Sequence, residues 1–166
     1  MERYNDGNCA STLTPEPATN YEAPGDLITR EALVNALDQL GVCNGDVVFV
    51  HSDLRQMGLV RRGGKIALAV EPEELLAGLV SLMGSAGTIA VPTFTTDGNR
   101  HSDFDPTTTP GNTGTFSELI RKQPGALRTR HPMVSVAALG PMAEAMLNDT
   151  DMSGFGENSP FGRMGP

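Results

Sequence analysis

Three histidines, His51, His101 and His131, are the residues best able to move a proton near neutral pH. His51 directly follows the run Val47-Val48-Phe49-Val50, so it ends a strand and opens a glycine-bearing loop. At that position it can orient a cofactor or a partner side chain, or it can close the strand end with a hydrogen bond. Arg128, Arg130 and His131 put positive groups within four residues of one another. Such a cluster suits an anionic cofactor such as a nucleotide phosphate, and equally a solvated surface strand paired with acids. Asp103, Asp105 and Glu157 are loop acids that can face an amine or simply face water. No His-x-x-x-His or Cys-x-x-Cys spacing occurs, so no metal site is expected. Gly63-Gly64 lacks the Lys-Ser or Lys-Thr that a phosphate-cradling loop would carry.

The elements that must position these groups read as follows. Thr29 suits a helix N-cap and Glu31 its first turn, and Leu33, Ala36, Leu37 and Leu40 recur on one face up to Gly41. Val47 to Val50 is an unbroken β-branched and aromatic run, which predicts a central strand buried on both faces of a parallel sheet. Ser52 to Gly64 reads as a loop, and Lys65 to Val70 as a short strand or the start of a helix. Pro72 and Glu73-Glu74 open a second helix that stops at Gly84. Gly87 to Thr93 is a second strand, followed by a polar loop from Thr95 to Gly114 whose length suggests function. A short helix over Thr115 to Lys122, a strand over Val134 to Leu139 and a helix over Pro141 to Leu147 complete the alternation of an α/β protein. After Gly154 the chain is turn-rich with no closing element expected.

The chain has 166 residues, enough for one domain, which the pattern places at residues 27–166 behind a flexible polar extension over residues 1–26. Twelve basic against twenty acidic residues give a net charge of −8, which argues against a nucleic-acid binder and is compatible with a cationic small substrate. No apolar run is long enough to cross a membrane and the first residues do not form a secretory signal, so a cytoplasmic protein is expected. Cys9 and Cys43 sit in unlike settings and predict neither a disulfide framework nor a metal site, so reduced thiols are the expectation.

Read in order, the motifs assemble into one pattern. They are Val48-Phe49-Val50-His51-Ser52-Asp53-Leu54-Arg55, Gly58 and Gly63-Gly64, Gly87-Thr88-Ile89-Ala90-Val91-Pro92-Thr93-Phe94-Thr95, Phe104-Asp105-Pro106 with Thr109-Pro110, Arg128-Thr129-Arg130-His131-Pro132 with Ser135-Val136-Ala137-Ala138, and Gly156-Glu157-Asn158-Ser159-Pro160. From Ile28 to its end the chain resembles the aminoglycoside 3-N-acetyltransferase family. The resemblance implies a three-layer α/β/α sandwich of the antibiotic N-acetyltransferase type, not the common N-acetyltransferase fold. It also implies direct transfer of acetyl from acetyl-CoA to an amino group of an aminoglycoside. By position it assigns His51, Ser52, Leu54 and Gly58 to a coenzyme-side loop, with Thr93 and Phe94 at the strand end beside it. Arg130, His131, Ser135 and Val136 match a second coenzyme-facing segment, and Asp105 and Glu157 match acidic positions near the acceptor cleft.

The chain departs from the pattern in three places. Asp53 stands where a second serine is usual, and Asp149 where a histidine is frequent. The family's Thr-x-x-His-x-x-Glu segment, whose histidine is usually assigned as general base, has no counterpart in the 166 residues. The resemblance therefore implies a C-terminally incomplete member, with His51 and His131 as the candidate catalytic residues that remain. The alternatives are an acyltransferase acting on an amino sugar in polysaccharide or secondary-metabolite synthesis, to which the longer stretch from Lys65 to Glu71 adds slight weight, and a non-catalytic remnant.

Overall fold

The computed structural model describes residues 28–95 and 104–164. The extension over residues 1–26, His101 and the loop acid Asp103 lie outside the described residues. Helix α1 (Arg30–Gln39) starts as its sequence predicts, with the Thr29 hydroxyl accepting from the Ala32 amide at 3.1 Å. Its chain then turns at Gly41, where φ is +88°. Strand β1 (Val47–Phe49) follows, then a 3-10 turn over Leu54–Met57 and a hairpin of β2 (Leu59–Arg62) and β3 (Lys65–Leu68). Helix α2 (Pro72–Met83) carries Pro at its first position and Glu73 and Glu74 in its first turn. Strand β4 (Thr88–Pro92) follows, fully buried along its length. Next come α3 (Thr115–Arg121), β5 (Leu127–Arg128), β6 (Val136–Leu139), α4 (Ala143–Leu147) and α5 (Pro160–Met164).

The main sheet has the order β1-β4-β6-β5. Strands β1 and β4 run parallel, whereas β6 is antiparallel to both β4 and β5. Period-2 alternation then sorts side chains onto two faces. Ile89, Val91 and Ala137 turn to one face, where Leu33 of α1, Leu75, Leu79 and Met83 of α2, and Phe116 and Ile120 of α3 cover them. Ala90, Val136 and Ala138 turn to the other, against Ala143, Met146 and Leu147 of α4 and Phe161 and Met164 of α5. Helices on both faces of one sheet make the three-layer α/β/α sandwich. Leu79 and Met83 are each 1% exposed, so each contributes on the order of 1.5–3 kcal/mol by burial.

Several expectations are corrected. The sheet is mixed, not parallel, because β6 returns from β4 against its direction. Among the described residues β1 is an edge strand, not a central one, and Val47 is 44% exposed. A β-branched run reports that a strand forms; it does not report how many neighbours the strand finds. The Ser52–Gly64 stretch is not all loop: it holds the 3-10 turn and β2, and Lys65–Leu68 is a strand. Gly63 and Gly64, at φ +55° and +77°, make the tight hairpin turn between them. The turn-rich end contains the short closing helix α5.

Candidate functional site

The parallel pair β1 and β4 brings two C-terminal strand ends side by side. The Val50 amide donates to the Ala90 carbonyl at 2.8 Å, and the Thr93 amide to the Ser135 carbonyl at 2.8 Å, so both exits are fixed to the sheet. The chain leaving β1 forms one side of a cleft of about 820 Å³, with His51, Ser52, Asp53, Leu54 and Arg55. Leu68 and the segment Asn112–Thr115 form the rest of its lining. An α/β sheet gathers ligands at this end.

Each wall has a local cause. The Asp53 carboxylate caps the 3-10 turn, accepting from the Arg55 amide at 3.2 Å, and pairs with the Arg55 guanidinium at 2.8 Å. That hydrogen bond holds the Asp53 carboxyl below its ordinary range. The pair leaves the cleft mouth close to electrically balanced. Leu54 is 4% exposed and gives the cleft an apolar anchor. On the far side, the Asn112 amide donates to the Phe94 carbonyl at 2.9 Å, and the Thr113 hydroxyl to the Pro92 carbonyl at 2.5 Å. Gly114, at φ +119°, lies against the Ser52 carbonyl, where a Cβ would sit 3.4 Å away.

Behind this wall Glu118 is the main electrostatic anchor. It accepts from the Gly111 amide at 2.8 Å and from Arg121 Nε at 2.7 Å, and Arg121 Nη1 donates to the Thr107 carbonyl at 2.8 Å. Burial would raise the Glu118 carboxyl, but the Arg121 and Gly111 hydrogen bonds and the Arg121 charge outweigh it and hold the group at about 2.

Of the residues expected from the sequence, His51, Ser52 and Leu54 meet in the cleft, with His51 exposed. Gly58 closes the 3-10 turn at φ +120°, and its carbonyl accepts from the Ala69 amide at 2.9 Å. Thr93, Ser135 and Val136 have no exposed surface. The Thr93 and Ser135 hydroxyls lie 3.1 Å apart, and Ser135 Oγ donates to the Thr93 carbonyl at 2.8 Å. Phe94 packs edge-on against Phe161, with ring centroids 6.4 Å apart. Arg130 is exposed and lies off the cleft lining. His131 Nδ1 accepts from the Met133 and Val134 amides at 3.2 and 3.1 Å. Asp105 forms a local turn, accepting from the Thr107 amide at 2.7 Å and the Thr107 hydroxyl at 2.6 Å; those bonds lower its pKa. Glu157 is exposed and, like Asp105, lies off the cleft lining. No group of three or more metal-ligating side chains occurs among the described residues. Sequence reasoning missed Leu68 and the Asn112–Thr115 wall, which no motif marks.

The family of aminoglycoside 3-N-acetyltransferases matches residues 49–165 of the chain. The chain belongs to that family. It is 32% identical over 159 residues to aminoglycoside N(3)-acetyltransferase III of Salmonella sp, covering 82% of this chain and 53% of that protein. It is 31% identical over 157 residues to aminoglycoside N(3)-acetyltransferase VII of Streptomyces paromomycinus, covering 82% and 52%. Among solved structures it is similar to aminoglycoside acetyltransferase AAC(3)-IVa without ligand, at TM-score 0.70 and 28% identity, over 85% of this chain and 52% of that one. It is also similar to AAC-IIIb in its binary complex with CoASH, at TM-score 0.65 and 28% identity, over 82% and 55%. The chain thus spans about half the length of the curated relatives it matches. The three-layer sandwich is the fold the chain shares with those structures over the matched part.

Proposed function

We propose that this chain supplies the coenzyme-side cleft of an acetyltransferase that moves acetyl from acetyl-CoA to an amino group of an aminoglycoside. The observation that carries the reading is the meeting of His51, Ser52 and Leu54 in one cleft at the strand ends of a family member. The relative seen with CoASH supports the donor, and relatives seen with sisomicin and apramycin support an amino-sugar acceptor.

The chemistry sets the demands. A protonated amine must lose a proton before its nitrogen attacks the thioester carbon. The C–N bond forms, the C–S bond breaks, and the thiolate takes up a proton as the coenzyme leaves. His51, exposed in the cleft, is placed to accept the amine proton. His131 is not equivalent, because its Nδ1 lone pair already accepts from two backbone amides. That arrangement leaves Nε2–H as a donor in the neutral ring, suited to holding a ligand in place rather than to removing a proton. Leu54 and Leu68 suit the apolar arm of the coenzyme. Asp105 and Glu157 are the proposed acidic contacts of the acceptor; Glu157 makes the stronger case, since the Asp105 carboxylate is engaged by Thr107. Action in the cytoplasm is part of the same proposal, and no described helix is long and apolar enough to cross a membrane.

Thermal unfolding with and without coenzyme A tests the binding step, and mass spectrometry with acetyl-CoA and sisomicin or apramycin tests transfer. Coenzyme at a hundred times its Kd should raise the Tm by about 5–10 °C. His51→Ala should abolish product while leaving most of that shift. Absence of both a coenzyme shift and product would overturn the proposal.

A further inference from the structure

Arg128 looks from the sequence like a phosphate ligand, yet its donors are committed inside the protein. Its Nε donates to Thr93 Oγ1 at 3.0 Å and Ser135 Oγ at 3.1 Å, and its Nη2 to the Thr93 carbonyl at 2.7 Å. Its Nη1 donates to the Thr109 carbonyl and, at 3.4 Å, to the Pro106 carbonyl. The guanidinium carbon lies 4.9 Å above the Phe104 ring. The hydrogen-bond partners are all neutral oxygens; of the charged neighbours, Arg121 adds repulsion and Glu118 a smaller attraction. Burial and that repulsion bring Arg128 down to about 10, which still leaves it charged at neutral pH.

Three of these five oxygens, on Thr93 and Ser135, lie at the ends of β4 and β6, and two, on Pro106 and Thr109, belong to the loop that runs on to Asn112–Thr115. Resting on the proposed function, we infer that Arg128 is a positioning residue: by tying the Thr93 carbonyl at the end of β4 to the Thr109 carbonyl of the loop, it sets the cleft wall without touching the coenzyme. A planar fork does this better than a point charge. It reaches hydroxyls and carbonyls in several directions at once and stacks on Phe104 as well. The loop is otherwise attached to the strand end through the Asn112 amide, the Thr113 hydroxyl and Gly111, which packs so closely on Thr93 that a Cβ would come within 3.1 Å of its backbone. Arg128 grips the stretch before those contacts, where the chain has no sheet pairing of its own.

The test compares wild type with R128K and F104L by amide hydrogen exchange, and by binding of coenzyme A and of S-acetylpantetheine, which lacks the nucleotide phosphates. In R128K the amides of Thr109 and of Asn112–Thr115 should exchange about tenfold faster or more, while those of β4 and β6 keep their protection. Affinity should fall by the same factor, about tenfold, for both ligands. F104L, which keeps the fork and loses the ring, should move exchange in the same direction by less, and it carries the test if R128K does not fold. Unchanged loop exchange in the variants would overturn the inference. So would a loss confined to coenzyme A, which would make Arg128 a phosphate ligand after all. If wild type binds neither ligand, the coenzyme reading fails, and the exchange rates still decide whether Arg128 holds the wall.

Discussion

Glu118 is a partly exposed carboxylate whose value to the fold lies in what it joins. It receives the Gly111 amide from the loop and the Arg121 guanidinium from its own helix, and Arg121 is 6% exposed. Its folded pKa, about 2, lies below the ordinary 4.5. A depressed carboxylate stabilises the fold fully above its unfolded pKa and loses that contribution as pH falls through the folded value. Arg121 stays charged throughout, so the loss falls between about pH 4.5 and 2. Glu118→Gln should therefore lower Tm at pH 7, and the gap between the two melting curves should shrink steadily below about pH 4.5. Asp53, Glu74 and Asp105 also titrate low, but they do so in both proteins and cancel. Curves that stay parallel to pH 3 would show that the Glu118 pair contributes nothing. None of this was legible in the sequence. Glu118 reads as a surface helix residue, because the amide it receives comes from a loop whose path only the fold defines.

At the scale of elements, glycine gives the clearest contrast. Gly78 sits inside α2, where a Cβ would find Leu33 Cδ2 at 3.5 Å and Leu37 Cδ1 at 3.6 Å, which is ordinary contact. Gly140 follows β6 at φ +134°, where a Cβ would meet the Gly87 carbonyl oxygen at 2.4 Å and Thr88 Cα at 2.6 Å. Gly78→Ala should stabilise the protein by about 1 kcal/mol, through helix propensity and a well-seated methyl. Gly140→Ala should destabilise it by about 3 kcal/mol or more, since both clashing atoms belong to the backbone at the start of the neighbouring strand β4. Urea unfolding of the two variants checks both signs, and a common sign would refute the packing argument. The same contrast explains what the sequence reveals about elements. Helices α1 and α2 were legible because their caps and apolar spacing are local: Thr29, Pro72 and the face of Leu75, Leu79 and Met83. The β2–β3 hairpin was legible in principle, since Leu59-Val60-Arg61-Arg62 and Lys65-Ile66-Ala67-Leu68 flank Gly63-Gly64. Strand β5 was not, because two residues carry no periodicity and pair only where β6 offers an edge. For the cleft, His51, Ser52 and Leu54 came through the motif on one chain segment. The wall opposite depends on where the loop docks, and that is a tertiary fact.

The molecule as a whole carries a charge of −8, and this bears on both proposed substrates in opposite ways. An aminoglycoside is a polycation and coenzyme A a polyanion, so one long-range field favours the first and opposes the second. Close to the cleft the charges nearly cancel, since Asp53 and Arg55 pair with each other and Arg128 is spent on the strand ends and the loop. The binding of the two ligands should therefore answer to salt with opposite slopes. At about 0.01 M salt the field reaches roughly 30 Å, and at about 0.1 M roughly 10 Å. Aminoglycoside affinity should fall several-fold across that range, and coenzyme affinity should stay level or rise. Isothermal calorimetry with sisomicin and with coenzyme A, at matched pH and stepped sodium chloride, separates the cases. If coenzyme affinity fell as steeply as that of the polycation, local cations would have to grip its phosphates strongly enough to overcome the field of the protein. Arg130 and Lys65, both exposed, would be the first groups to neutralise in search of them. If neither affinity moved with salt, the acidic surface would have no part in drawing the substrate in, and recognition would rest on contacts within the cleft alone.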